Sequence, residues 1–271
     1  MKKYFPFLII VLMLLSCSLP GTETPPPVTT EPPVTEPPVT EPPTEPPIMA
    51  NVTCNELSLY LDPALGSSFT CETIPESTVE MEVHPQFTRV NLVGYPLSGT
   101  FFPARIDVYP VAAYTALMPD AIPNRVVALQ GLLAGGVPGT DSLPFLPVFN
   151  AAQTFHAQYQ VVPFMNGSGI RFLTLYAQYF APVNNQDMFY TYQGLTPDGQ
   201  YWVSAILPAN HPILPANADN PPGGMSWEDF ANNYDPYITD MVNQLNAQPA
   251  ASYIPSLAAL DALVASIRVQ P

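Results

Sequence analysis

The stretches FHAQYQVVPFMNGSGIRFLTLYAQYF, residues 155–180, and MFYTYQGLTPDGQYWVSAIL, residues 188–207, read as two β-hairpins in series. Both are dense in Tyr, Phe, Val and Ile, side chains that suit a pleated, half-buried surface. In the first, Asn166-Gly167-Ser168-Gly169 supplies turn chemistry, with Gly167 and Ser168 as the loop residues. That register sets Phe155 opposite Phe180 and Tyr159 opposite Tyr176, two aromatic pairs on one face. In the second, Thr196-Pro197-Asp198-Gly199 fits a type I turn with glycine in the left-handed position. It joins Met188–Gln193 to Tyr201–Leu207.

N-terminal to the hairpins, Ser77 to Leu92 begins with strict alternation. Val79, Met81 and Val83 share one face, and Glu80, Glu82 and His84 the other, as in a half-buried strand. Pro85 places that strand at an edge or ends it. Phe87–Val93 and Thr100–Tyr109 are further strand candidates. From Arg125 to Ala134, Val126, Leu129, Leu132 and Leu133 form a helical stripe that stops at Gly135-Gly136.

C-terminal to the hairpins the period changes. Ser226 and Asp229 resemble a capping box, and Trp227, Phe230, Tyr234, Ile238, Met241 and Leu245 then follow helical spacing, with Pro236 kinking or splitting the helix. A last helix is predicted from Ser256 to Ile267. Strands in the middle, helices at the end and no βαβ alternation predict an α+β fold. It would be an antiparallel sheet built from consecutive hairpins with helices packed on it, in one globular domain over 49–271. The element order resembles the Mog1/PsbP-like α/β/α sandwich. Tyr190 to Pro212 is similar to segments of uncharacterised exported bacterial proteins, a resemblance that implies no activity.

Before that domain lie an address and a spacer. Lys2 and Lys3 precede an apolar run from Tyr4 to Leu15, which is the layout of an export signal and too short for a spanning helix of ~20 residues. Leu14-Leu15-Ser16-Cys17 resembles the lipobox of bacterial lipoprotein signal peptides. The resemblance covers residues 1–17 and implies acylation of Cys17, with two or three chains giving stable anchoring. It places the protein outside the cytoplasm, tethered to the cell membrane or outer membrane. Ser18 is not the aspartate that retains some lipoproteins at an inner membrane. Residues 18–48 are a linker in which Glu-Pro-Pro-Val-Thr occurs at 31–35 and 36–40. Paired prolines exclude helix and sheet and favour polyproline II, reaching roughly 90 Å over ~28 residues.

Charge narrows the partners. The chain carries −15 overall, and from Met49 onward five arginines face 17 carboxylates. Such a surface repels phosphate backbones and argues against nucleic acid. With Cys17 lipidated, Cys54 and Cys71 remain, and an isolated pair in an oxidising compartment reads as a disulfide, two free thiols being the alternative. No nucleophile elbow, P-loop or dinucleotide fingerprint occurs, so no catalytic residue, metal or cofactor is assigned. Glu80, Glu82 and His84 fit a solvated strand face. The possible ligand-binding residues are His211, with Asn217 and Asp219 nearby, His156, Tyr192 and Trp202. Tyr159, Tyr176, Tyr190 and Tyr201 add to an aromatic load that serves either as sheet core or as a pocket lining. Three functions are compatible with this: a non-enzymatic domain binding a small ligand or an envelope partner on a stalk, an extracytoplasmic hydrolase acting near His156 or His211, and a structural envelope-assembly protein.

Overall fold

A computed structural model describes residues 49–270. The leader, Cys17 and the linker lie outside the described residues. Two short strands, β1 (Val52–Cys54) and β2 (Leu57–Leu59), open the domain. Then come β3 (Ser68–Ile74), β4 (Phe87–Val93) and β5 (Arg105–Pro110). Helices α1 (Val111–Leu117) and α2 (Ile122–Leu133) follow. The next strands are β6 (Ala152–Gln153), β7 (Ala157–Phe164), β8 (Gly167–Thr174), β9 (Tyr176–Ala177), β10 (Phe189–Leu195) and β11 (Tyr201–Pro208). Helices α3 (Trp227–Asn232), α4 (Tyr234–Asn246) and α5 (Leu257–Ala265) precede the last strand, β12 (Arg268–Val269).

Seven strands form one antiparallel sheet in the order β3-β4-β5-β11-β10-β8-β7. The chain lays down β3–β5 as a meander and crosses through α1 and α2 to the far edge at β7. It then returns hairpin by hairpin until β11 closes against β5. A small sheet, β1-β2-β12, joins the two ends of the domain, and β6 pairs with β9 in a separate ribbon. The fold is therefore mixed α+β with an antiparallel sheet.

Both faces of that sheet are covered. On one, Val90, Ile106, Tyr190, Tyr192, Val203 and Leu207 pack with Met241 and Leu245 of α4 and Leu257 to Val264 of α5. On the other, Phe87, Tyr109, Phe172, Phe189, Trp202 and Ile206 pack with Tyr114 of α1, Leu129 and Leu132 of α2 and the segment 143–149. Double coverage explains why every residue of β10 is buried: neither set of alternating side chains meets water. Cys54 and Cys71 are bonded, which ties β1 to β3.

The second hairpin follows its turn signal. Phe189 to Leu195 pairs with Pro208 to Trp202, and Gly199 has φ 70° with its N–H on Thr196 O at 2.9 Å. The first does not have the expected register. Val161 faces Ile170 and Phe164 faces Gly167, so the loop residues are Met165 and Asn166. The glycines lie inside β8 because rings cross them. A Cβ on Gly167 would sit 2.5 Å from Leu195 O and against the Phe164 ring, and one on Gly169 would sit 2.5 Å from Tyr192 Cζ. Asn166 fastens the turn through two hydrogen bonds with the Val269 backbone. A bulge at Gln158, φ 55°, shifts the pairing again, and Tyr176 pairs with Gln153 of β6 instead of Tyr159.

The alternating run 79–83 is also not a strand. Val79 and Met81 are 65% and 67% exposed, Met81 has φ 69°, and Glu82 N–H closes a turn on Val79 O at 2.9 Å. Period-two hydrophobicity over five residues is too short a signal to outweigh a turn with polar neighbours. In the C-terminal part, Ser226 Oγ accepts from Asp229 N at 3.0 Å and caps α3. The helix breaks at Asn233, ahead of Pro236, because a proline ring clashes with the carbonyl four residues back and is tolerated only in a first turn. Ser256 caps α5.

Candidate functional site

A trough runs beside the β6–β9 ribbon. Its two lobes, about 520 and 950 Å³, share Phe149, Asn150, Ala151, Ala177, Gln178 and Tyr179. Loops bring the parts together. Phe101 and Phe102 come from the β4–β5 connection, which is held by Phe101 N–H on Gln186 O at 2.8 Å. Phe149 to Ala151 lead into β6, and Tyr179 and Phe180 follow β9.

Asp187 is set at one end by an Asn184 turn. Asn184 Oδ1 accepts from the Gln186 and Asp187 N–H groups, both at 3.0 Å, and its Nδ2 donates to Asp187 Oδ2 at 2.8 Å. Phe102 stacks flat on Phe149 at 5.1 Å, and Phe149 meets Tyr176 edge-on at 5.0 Å. At the other end Phe180 leans on Tyr234 of α4 at 4.9 Å, and Trp227 approaches Tyr179 at 6.5 Å.

The rim is unusual for the residue types in it. Phe101, Tyr179, Phe180 and Trp227 are 66%, 57%, 52% and 46% exposed. Burial pushes the Tyr176 phenol well above its ordinary value, and burial together with Asp187 and Asp219 raises Tyr179. Tyr234 is pushed up to about 12, mainly by burial. These phenols stay protonated and act as hydrogen-bonding groups. Tyr176 already accepts from Gln153 Nε2 at 2.9 Å. The polar groups facing the trough are thus carboxamides, phenols and the carboxylates Asp187 and Asp235, set among aromatic faces.

The residues singled out from the sequence lie elsewhere. His211 is 3% exposed; its ring shares a 2.8 Å hydrogen bond with Ser252 Oγ and packs on Tyr253 at 4.7 Å. Ile213 N–H points at its Nδ1, so Nε2 carries the proton, and burial lowers its pKa and keeps the ring neutral. Asn217 and Asp219 bond to each other in an exposed turn. His156 lies just before β7, half-buried near the Gly139 backbone, and burial lowers its pKa too. Tyr192 donates to Val162 O at 2.9 Å, and Trp202 Nε1 to Gln193 Oε1 at 2.8 Å; both fill the core. Glu80 and Glu82 are exposed. Of the aromatics weighed as a pocket lining, Tyr176 alone lines the trough; Phe180 and Tyr234, read as strand and helix residues, line it too.

Phe101, Phe102, Phe149 and Tyr179 were not singled out, and Phe180 and Trp227 were read only as strand and helix residues. The available signal was position: Phe101, Phe102 and Phe149 sit among Gly, Pro, Ser and Asn, residues that interrupt strands and helices. Among the described residues no group of three His, Cys, Asp or Glu side chains is placed to hold a metal, and no helix is long and apolar enough to cross a membrane. No protein-family model, curated protein or solved structure matches this chain, so the trough must be read from its own chemistry.

Proposed function

We propose that this protein is a lipid-anchored extracytoplasmic lipoprotein whose domain binds a neutral glycan in the aromatic trough. One observation carries the ligand reading: three large rings, Phe101, Tyr179 and Phe180, stand exposed around a concave surface with exposed Trp227 beside Tyr179, whereas the domain's other aromatics are buried or half-buried. Ring faces of this kind stack on the apolar faces of sugars, and the carboxamides of Asn150 and Gln178 with the Asp187 carboxylate offer partners for hydroxyls. The acidic surface favours a neutral chain over a polyanion. The lipobox at Cys17 and the linker 18–48 support a stalked position, where extended polymers are the accessible ligands. The covered antiparallel sheet suits the Mog1/PsbP-like sandwich proposed from element order.

Calorimetric titration of the full-length protein with chitotetraose and with cellotetraose tests the ligand. Saturable binding to at least one is expected, with Tyr179→Ala weakening it at least about tenfold, as expected for the loss of one stacked ring. Binding to neither sugar, or binding unchanged in both Tyr179→Ala and Phe101→Ala, sinks the glycan reading. New reducing ends that cease to form in Asp187→Asn would favour a hydrolase instead. For the anchor, Cys17→Ala is expected to abolish acylation and leave the protein soluble or unprocessed. A processed Cys17→Ala protein that still fractionates with membranes would reject it.

A further inference from the structure

The geometry points to a second site, distinct from the trough: a pocket for a small organic carboxylate, built on Arg105, Arg89 and Tyr114 beneath the 79–84 turn. A cavity of about 220 Å³ lies there between β4, β5, α1 and the segment 147–149, with Phe149 as the wall it shares with the trough. Its charge is unbalanced. Asp107 is the only carboxylate buried among the groups that build it, and it serves two guanidiniums. Arg89 binds it through Nε at 2.7 Å and Nη2 at 2.8 Å, and Arg105 through Nε at 3.3 Å. Tyr109 also donates its hydroxyl to Asp107, at 3.1 Å.

Arg105 is left with work undone. It is 9% exposed, yet its two terminal amino groups make no hydrogen bond to any described residue. Burial lowers its pKa, which marks the same shortage of compensating charge. The Tyr114 hydroxyl is fully buried, lies near the Val148 backbone and has no partner in hydrogen-bonding geometry. Two sets of donors therefore lie at one cavity without protein acceptors: the Arg105 amino groups, on a side chain that keeps 11% of its surface accessible, and the Tyr114 hydroxyl, which is buried, where a donor is rarely left so.

The other charged groups do not fill this need. Glu72 sits across from Arg89 on β3 but is exposed and bound to Asn91 and Thr70. Glu82 is exposed at the cavity's edge. His84 bonds through Nδ1 to Pro85 O.

The occupant follows from charge, size and walls. One excess positive charge suits a monoanion. Guanidinium amino groups beside a phenol match the two oxygens of a carboxylate. The volume lies below the ~300–1,000 Å³ of pockets for drug-sized ligands, so the body is small. The walls are Ile74, Val83, Phe87 and Phe149, so that body is apolar.

Benzoate is the probe. Saturation-transfer NMR on the full-length protein at constant ionic strength should show saturable binding below about 10 mM. Tyr114→Phe removes only the unpartnered hydroxyl. It should leave thermal stability unchanged or higher while weakening benzoate by several-fold. Arg105→Met keeps the stem and should weaken it at least about tenfold. No saturable benzoate binding overturns the proposal, as does binding unchanged in both variants. Equal binding of phosphate or chloride overturns the carboxylate assignment. Tyr179→Ala should leave benzoate binding unaltered, which separates this site from the trough.

Discussion

Asp107→Asn is expected to destabilise the domain by about 3–5 kcal/mol, with little change in side-chain volume. The carboxylate is 1% exposed and sits at the centre of the sheet, on β5, between Arg89 of β4 and the Arg105 and Tyr109 side chains of its own strand. Neutralising it leaves two partly buried guanidiniums, with 22% and 11% of their side chains exposed, without a buried counter-charge. Arg89 retains a cation–π contact to the Phe87 ring at 5.1 Å, and Arg105 one to Phe102 at 5.5 Å, contacts worth too little to compensate. Urea unfolding followed by far-UV circular dichroism measures the effect. A loss below about 1 kcal/mol would mean that water reaches the cluster and screens it.

Gln193→Leu is expected to cost about 3 kcal/mol although it replaces a polar core residue with an apolar one of similar size. Gln193 Oε1 accepts both Trp202 Nε1–H at 2.8 Å and Leu146 N–H at 2.9 Å, and its Nε2 donates to Thr191 Oγ1 and Ser204 Oγ. Leucine leaves two buried donors without acceptors, and each costs about 1–3 kcal/mol. The double variant Gln193→Leu/Trp202→Phe removes one of those donors and should recover part of the loss relative to additivity. Strict additivity in urea unfolding would show that the amide and the indole are not energetically coupled.

How much of this was legible in the sequence depended on how local the cause was. The turn at 196–199 was readable because proline, aspartate and a left-handed glycine determine it within four residues. The helix cap at Ser226 and the helix start at Ser256 are similarly local. The first hairpin was misread because Gly167 and Gly169 look like turn residues, whereas Phe164 and Tyr192 require them to lack side chains. Tyr192 lies more than twenty residues away in the chain. The trough was the least legible part. Its rings come from residues 101–102, 149, 176–180 and 227, and no sequence pattern states that these loops meet. Aromatic counts could not separate Tyr179, which stays exposed, from Tyr192, which is buried, because both occur in aromatic-rich segments near strand sequences.

The pairing of β5 with β11 has a consequence for how the domain is made. The two strands are adjacent at the centre of the sheet, yet about a hundred residues separate them in the chain. As the polypeptide emerges from its N-terminus, β3–β5 can assemble early, but β5 then presents an open edge of unpaired backbone groups. That edge stays bare until α1, α2, the β7–β8 hairpin and β10 have followed and β11 arrives. High contact order of this kind slows folding, and an unpaired central strand is a template for pairing between chains. Aggregation during synthesis should therefore be nucleated by residues 105–110, of which the finished domain buries all but the last.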